Sequence, residues 1–326
     1  VPELPEVEVV RAGLEPAVSG ARVLGVDVVD ARALTRHVGD ARDFAERLTG
    51  RTIRAAVRRG KFLWMPLDDA DDPAASAGPE ALVAHLGMSG QILLGRGRAA
   101  GRHRRIVLVV QPDWTDAAGV REEPVELEFV DQRTFGSMAI DRMVPTADGA
   151  PAGSAGLIDV EQPDAPWRWF VPGQVEHIAR DPLDPAFDDE RFVMLARKRS
   201  SGIKRLLLDQ GLVSGIGNIY ADESLWAAKL HHDRLGARLS RATLLLLLDE
   251  VRAVLRRALE DGGTSFDAQY VNVNGQSGFF SQRLAVYGQQ GKPCPRCGAT
   301  IVRESFMNRS SHRCPVCQPA PRVRRA

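Results

Sequence analysis

All four cysteines of the 326-residue chain fall in one stretch: Cys294-x2-Cys297, sixteen residues, then Cys314-x2-Cys317. Tetrahedral zinc takes thiolates at about 2.3 Å, and each C-x2-C turn presents two of them to one point. The expected cofactor is one structural zinc per chain, held by Cys294, Cys297, Cys314 and Cys317. Four protein ligands leave no open position, so such an ion would hold a fold and activate no water. Two disulfides, or a redox role for either pair, are the other readings of this spacing. The intervening residues include Asn308, Arg309, His312 and Arg313, types that contact phosphates. A plain solvated basic hairpin would have the same composition.

A second chemical signal is the run from Lys204 to Glu223, where Gly211, Gly215 and Gly217 punctuate a turn between two helical stretches and Asn218 opens the second. Glycines let backbone approach a ligand, and a helix N-terminus offers unpaired N–H groups and a favourable dipole to a phosphate. No strand precedes the turn, so a dinucleotide fold is not expected. An ordinary glycine turn between helices is the plainer alternative. Lys204 and the run Arg197-Lys198-Arg199 favour phosphate. So does the charge distribution: residues 191–326 hold 22 Lys and Arg against 10 Asp and Glu, while residues 1–190 hold 21 against 32. The net charge of +1 hides a basic C-terminal portion suited to a polyanion.

Further motifs complete a pattern. Pro2-Glu3-Leu4-Pro5-Glu6-Val7-Glu8, Arg59-Gly60-Lys61-Phe62-Leu63, His85-Leu86-Gly87-Met88-Ser89-Gly90, Asp131-Gln132-Arg133-Thr134-Phe135-Gly136, the Gly215–Glu223 turn, Tyr287-Gly288 with Pro293-Cys294, and the four-cysteine finger occur in that order between residues 2 and 318. Together they resemble the bacterial formamidopyrimidine-DNA glycosylases. The related endonuclease VIII-like branch, which favours oxidised pyrimidines, typically has Gly where Leu4 stands. The resemblance implies a bifunctional DNA glycosylase/AP lyase of base excision repair, acting on 8-oxoguanine and formamidopyrimidines in damaged double-stranded DNA. It also implies a monomer at the bacterial nucleoid. A zinc-finger protein that only recognises lesions is the binding-module alternative, and an RNA- or ribosome-binding helix-turn protein a third.

The implied chemistry centres on Pro2. A proline at a free N-terminus is a secondary amine, and an α-amino pKa near about 8 leaves a useful neutral fraction. Attack on the anomeric carbon would expel the base and leave an iminium, and Glu3 beside it could move protons on and off the sugar. A peptide bond to Val1 would make this nitrogen a non-nucleophilic amide. The expectation is therefore a GTG start codon translated literally, with the initiating Met trimmed. Other roles are likewise implied by resemblance. Lys61 matches a lysine near the scissile sugar, and Glu6 an active-site glutamate. Met88, Arg133 and Phe135 match the trio that fills the hole left by an everted base. His103 matches a DNA-contacting histidine. Lys198 or Arg199, Lys204, Asn218 and Arg309 match phosphate contacts, Arg309 also having a part in δ-elimination. Thr134 stands where a second basic residue is common. Residues 264–280 match a loop that covers the flipped base.

These side chains need a scaffold. Val7, Val10, Leu14 and Val18 recur at helical spacing over residues 5–19, stopped by Gly20. Short apolar runs at Val23–Val29, Thr52–Val57, Phe62–Leu67, Ile106–Val110 and Val125–Val130 predict antiparallel strands. Beyond about residue 186 the pattern turns helical, with helices expected over Ile203–Gln210, Asn218–Lys229 and Ser240–Glu260. The expected fold is α+β and multidomain. The strand pattern alone leaves a sandwich or a barrel open; the resemblance implies a two-sheet antiparallel β-sandwich with flanking helices over 2–144, an insertion or linker 145–185, a helix-two-turn-helix domain with a lesion-covering loop 186–290, a zinc-finger hairpin 291–318 and a disordered tail 319–326. Asp68–Glu80 reads as a surface insertion. The longest aliphatic run, Leu244–Leu248, is far too short to cross a bilayer, and no secretory signal is visible, so a cytoplasmic location without membrane is expected.

Overall fold

The periodic apolar residues near the start form α1 (Leu4–Val18). Val7, Val10, Leu14 and Val18 are buried, and Gly20 ends the helix at φ +75°. The computed structural model describes residues 2–68, 79–95, 101–113, 123–264, 273 and 280–321, with the side chains of 281 and 282 outside that set. It has two units. The first comprises Val1–Pro2, Glu6–His177 and Ser265–Gly278, and the second Glu3–Pro5, Ile178–Thr264 and Phe279–Ala326.

The first unit is built on one antiparallel ribbon. Its strands are β1 (Arg22–Val28), β2 (Thr52–Ile53), β3 (Val57–Arg59), β4 (Phe62–Asp68), β5 (Glu80–His85), β6 (Gly90–Gly95), β7 (Arg104–Gln111), β8 (Val125–Asp131), β9 (Ser137–Pro145) and β10 (Phe170–Pro172). They pair in the order β10-β9-β5-β4-β2-β1-β7-β8-β6, with β3 on β4. The sandwich is thus a single hydrogen-bonded sheet folded over one core. Leu63, Leu82 and Ile140 from one half share that core with Ile92, Leu108 and Phe129 from the other. The run Thr52–Val57 divides into β2 and β3, which pair with opposite ends of β4. A short helix, α2 (Ala41–Leu48), was not expected, because its inward face offers only Phe44 and Leu48. Its N-terminus is capped by Asp40, whose carboxylate accepts from Asp43 N at 2.9 Å.

The stretch expected as a linker belongs to this unit through His177. It carries α3 (Ile158–Glu161), and β10 pairs with the end of β9. Arg58 and Ser154 form a β-bridge. Gly153 lies so close to Arg58 O and the Trp64 ring that an added Cβ would approach them to 2.3 and 2.9 Å. Composition rich in Ala, Gly and Pro reflects close packing here. The Asp68–Glu80 insertion, the 264–280 loop and the 319–326 tail lie largely outside the described residues.

The second unit holds α4 (Asp189–Arg197), α5 (Ile203–Leu207), α6 (Asn218–Ala227) and α7 (Arg241–Glu260), followed by β11 (Val302–Phe306) and β12 (Arg309–Arg313). Ser240 caps α7 by accepting from Thr243 N at 3.1 Å. The buried face of α7 runs Leu244, Leu247, Leu248, Val251, Val254, Leu255 and Ala258. Lys229, expected inside a helix, instead takes φ +56° just beyond α6, the left-handed conformation common after a helix end. Among the described residues no helix is long and apolar enough to cross a membrane.

Phe129 is fully buried in the shared core. Phe129→Ala should destabilise the first unit by about 3–5 kcal/mol, read as a lower urea midpoint for its transition. An unchanged midpoint would contradict the single-core description.

Candidate active site and nucleic-acid interface

In the first unit Pro2 and Glu6 are buried. Lys61 sits at the tip of the β3–β4 hairpin, half-buried. Arg59 pairs with Phe62, leaving a two-residue loop whose first residue, Gly60, has φ +57°, as tight hairpins require. At the end of β5, His85 Nδ1 accepts from Gly87 N at 3.2 Å. Burial, with the charges of Arg36 and Lys61 adding to it, brings this imidazole down to about 4. It is therefore neutral near pH 7 and able to accept that bond. Beyond it, Met88 is 41% exposed and Phe135 57% exposed. Large apolar side chains left in solvent on two neighbouring turns are what a stacking wedge needs. The turns touch: a Cβ on Gly87 would lie 2.5 Å from Phe135 C. Arg133 is exposed and His103 half-buried, and Thr134 has φ +54°.

The second unit departs from expectation at the glycine turn. The N-terminus of α6 is occupied by Glu3, which takes three of its first N–H groups. The Glu3 carboxylate accepts from Gly217 N at 2.6 Å, Ile219 N at 3.0 Å and Tyr220 N at 3.4 Å. The helix dipole and orphan amides that would serve a phosphate serve a buried carboxylate equally well. This also explains the glycines. A Cβ at Gly217 would lie 2.3 Å from Glu3 Cδ, and one at Gly215 2.7 Å from Leu4 Cδ1. Leu4 N donates to Gly215 O at 2.9 Å.

Lys204 is also corrected. It is fully buried, because α5 turns Ile203, Lys204, Leu206 and Leu207 inward. Its ammonium lies 2.7 Å from Asp222 Oδ1 and 4.6 Å from the Phe306 ring centre. Burial lowers its pKa against the pull of Asp222. Asp222 in turn accepts from Ser311 Oγ and His312 N, both at 2.8 Å. Asn218 is buried and donates to Ser310 O at 2.9 Å. Lys204 and Asn218 thus hold the β11–β12 hairpin, at whose turn Arg309 is exposed. Of the other expected phosphate contacts, Lys198 is exposed and Arg199 is ion-paired with Asp209.

The four cysteine sulfurs all lie within 4.8 Å of one another, with Cys297 Sγ 3.4 Å from Cys314 Sγ. Bonds of about 2.3 Å to one tetrahedral ion require sulfurs about 3.8 Å apart, so the donor set fits a metal ion. Trp226 Nε1 donates to Cys294 Sγ at 3.4 Å. A second cluster, His231, His232 and Glu304, also has close ligand atoms. Its geometry is wrong for a shared ion. The imidazoles stack at 4.2 Å and 28°, so no point near both nitrogens lies in both ring planes, and Arg313 already pairs with Glu304.

Family models match residues 1–138 as a formamidopyrimidine-DNA glycosylase N-terminal domain, 178–269 as the H2TH domain of the same enzymes, and 291–320 as a zinc finger found in FPG and IleRS. A formamidopyrimidine-DNA glycosylase of Leifsonia xyli is 57% identical over 98% of this chain and 99% of its own length. The chain belongs to the formamidopyrimidine-DNA glycosylase family. Among solved structures, Lactococcus lactis Fpg bound to abasic-site DNA is 28% identical with a TM-score of 0.74, covering 98% of this chain and 100% of that one. A variant of the same protein bound to DNA containing Fapy-dG gives a TM-score of 0.75 at 28% identity over the same shares.

Two acids escaped the sequence reading. Asp222 and Glu223 lie within the family's glycine-turn motif, but nothing local marks their partners. Glu223 accepts from Ala285, Val286 and Tyr287 N at 2.9, 2.9 and 2.8 Å. Burial raises its pKa while those three N–H groups hold it down.

Gly217→Ala should displace Glu3 and destabilise the second unit by about 1–3 kcal/mol. Chemical denaturation followed by helical circular dichroism checks this. A neutral effect would show that Glu3 does not depend on the bare backbone at this site.

Proposed function

We propose that this chain is a bifunctional DNA glycosylase/AP lyase for oxidised purines, with the Pro2 nitrogen as nucleophile. The observation that carries the reading is the anchoring of the residue next to Pro2. Glu3 is tied by three backbone N–H groups and Leu4 by a fourth bond, to Gly215 O. A neighbour held this firmly suits a nucleophile that must meet one carbon atom. The N–C1′ bond forms, and the glycosidic bond breaks with its electron pair leaving on the base. Sugar ring opening then gives an iminium. That electron sink acidifies the C2′ proton, whose loss expels the 3′ phosphate; a further proton loss expels the 5′ phosphate. Glu3 and Lys61 serve as proton carriers and Glu6 as a supporting carboxylate. Arg309 and Lys198 contact phosphates, and Arg309 assists δ-elimination. Met88 and Phe135 fill the vacated stack, while Arg133 donates to the acceptors of the orphaned cytosine. The amine chemistry requires a Pro2 nitrogen free of residue 1. Leu4, where the endonuclease VIII-like branch typically has Gly, supports the formamidopyrimidine branch and with it purine lesions.

Borohydride reduction on a duplex with 8-oxoguanine opposite cytosine should crosslink protein to DNA one to one. An added N-terminal tag should abolish it, and Glu3→Gln should slow excision by about 10²–10⁴-fold. Pro2→Gly should retain some lyase activity. Normal excision by protein whose intact mass includes residue 1 would sink the amine mechanism. Faster excision of an oxidised pyrimidine would reverse the lesion assignment.

The cysteine cluster supports one structural zinc. Elemental analysis should give one zinc per chain. Chelation should loosen the hairpin bearing Arg309 and weaken DNA affinity while most helical signal persists. Metal-free protein with full DNA binding would contradict this.

A further inference from the structure

The side chains assigned above to the opened duplex come from separate turns of the first unit, and one buried residue touches all of these turns. Asp131 ends β8 and is fully buried. Its carboxylate accepts from Ser89 Oγ at 2.6 Å, Arg133 N at 3.0 Å and Gly136 N at 2.7 Å. Its own N–H donates to His103 O at 2.9 Å, and its carbonyl accepts from Arg105 Nε at 2.8 Å. Ser89 follows Met88, and Gly136 follows Phe135. Apart from Arg105, every residue these bonds reach is, or adjoins, one of the four DNA-facing positions.

We propose that Asp131 is the positioning residue that locks Met88, His103, Arg133 and Phe135 into one preformed reading head. The inference rests on the function proposed above. An ionised carboxylate is acceptor-only and takes several donors at once. That suits it to irregular turns, whose amides have no strand partner to use. The surrounding backbone leaves little room for other arrangements. Thr134 is held at φ +54°, and a Cβ on Gly136 would lie 2.7 Å from Phe129 Cζ and 2.8 Å from His85 O. The exposed wedge and the exposed reader are thus set by a group that never meets DNA. A reading head assembled in advance avoids ordering three loops at the moment of eversion.

Asp131→Asn keeps the shape but replaces one acceptor oxygen with a donor, facing amide hydrogens that need acceptors. Single-turnover excision of 8-oxoguanine should fall by about 10²-fold, the scale of small misplacements near a reacting centre. The preference for cytosine over adenine as partner base should shrink with it, while undamaged-duplex affinity and zinc content hold. A change in stability alone would not move that ratio. Ser89→Ala removes a single donor at the surface of the cluster. It should slow excision about tenfold, the worth of one such bond, and leave the partner-base ratio intact; Ser89→Thr should restore the rate. Added to Asp131→Asn, Ser89→Ala should have little further effect, because the partner is already lost. If Ser89→Ala excises at the unaltered rate, the inference is overturned even where Asp131→Asn does not fold. Asp131→Asn with normal rate and ratio overturns it too, as does full multiplicativity of the two changes. Absence of excision by the unaltered protein would instead overturn the proposed function.

Discussion

The Glu3 carboxylate on the first turn of α6 constrains the sequence at several positions far apart along the chain. Burying a charge is costly unless donors replace its hydration. Here the replacement is three amides that α6 would otherwise leave unpaired, with a helix dipole of the right sign. Charge-assisted bonds of this kind are stronger than neutral ones, and they demand close approach. Gly215 and Gly217 follow from that demand, since either Cβ would enter Leu4 or Glu3. Leu4 then packs among the helices of the second unit. Glu3 and Leu4 are thereby both hydrogen-bonded and buried.

The same device recurs. Asp131, Asp222 and Glu223 are buried acids whose oxygens accept from backbone amides, of turns or loop segments for Asp131 and Glu223 and of the short strand β12 for Asp222. Each joins pieces that hydrophobic packing cannot orient well, because turns and a small metal hairpin bury little apolar surface. Strands inside a sheet and the middles of helices satisfy their own amides, so they need less such help than an edge strand such as β12. Irregular segments do not, and a carboxylate gathers several of their N–H groups with fixed geometry. Asp222 also takes the Lys204 ammonium, so one buried anion neutralises one buried cation. Removing either partner would strand the other charge, a much larger penalty than the net worth of the pair.

What could be read in advance follows the range of the interactions. The cysteine spacing, the glycine turn and the strand-like runs are local patterns, and the order of the motifs along the chain was enough to place it in a family. The partners of the acids are not local. Glu3 lies 214 residues from Gly217, and Asp222 lies 90 from His312. Reading the turn alone assigned its amides and Lys204 to an external phosphate, because an internal carboxylate presents the same chemistry. Strand β5, with four successive buried residues from Ala81 to Ala84, lacks the alternation that marks a half-exposed strand. The Ala- and Gly-rich stretch after β9 looked like a linker for a related reason: small residues signal close backbone packing as readily as freedom.

The corrections alter how the basic charge should be understood. Residues 191–326 carry 22 cations against 10 acids, and that surplus suggested a phosphate surface. The structure distributes it unevenly. Asp222 and Glu223 are buried, Asp209 is matched by Arg199, and Glu304 is matched by Arg313. These acids are used internally, so they do little to offset the exposed side chains of Lys198, Arg205 and Arg309. Lys204 adds nothing outward, because Asp222 cancels it in place. The field a polyanion meets is therefore set by the exposed cations, while the buried pair fixes where the hairpin carrying Arg309 stands. Affinity for DNA in general and placement of the individual contacts thus have separate physical origins. The first weakens with salt through counterion release; the second depends on a buried ion pair that salt screens much less.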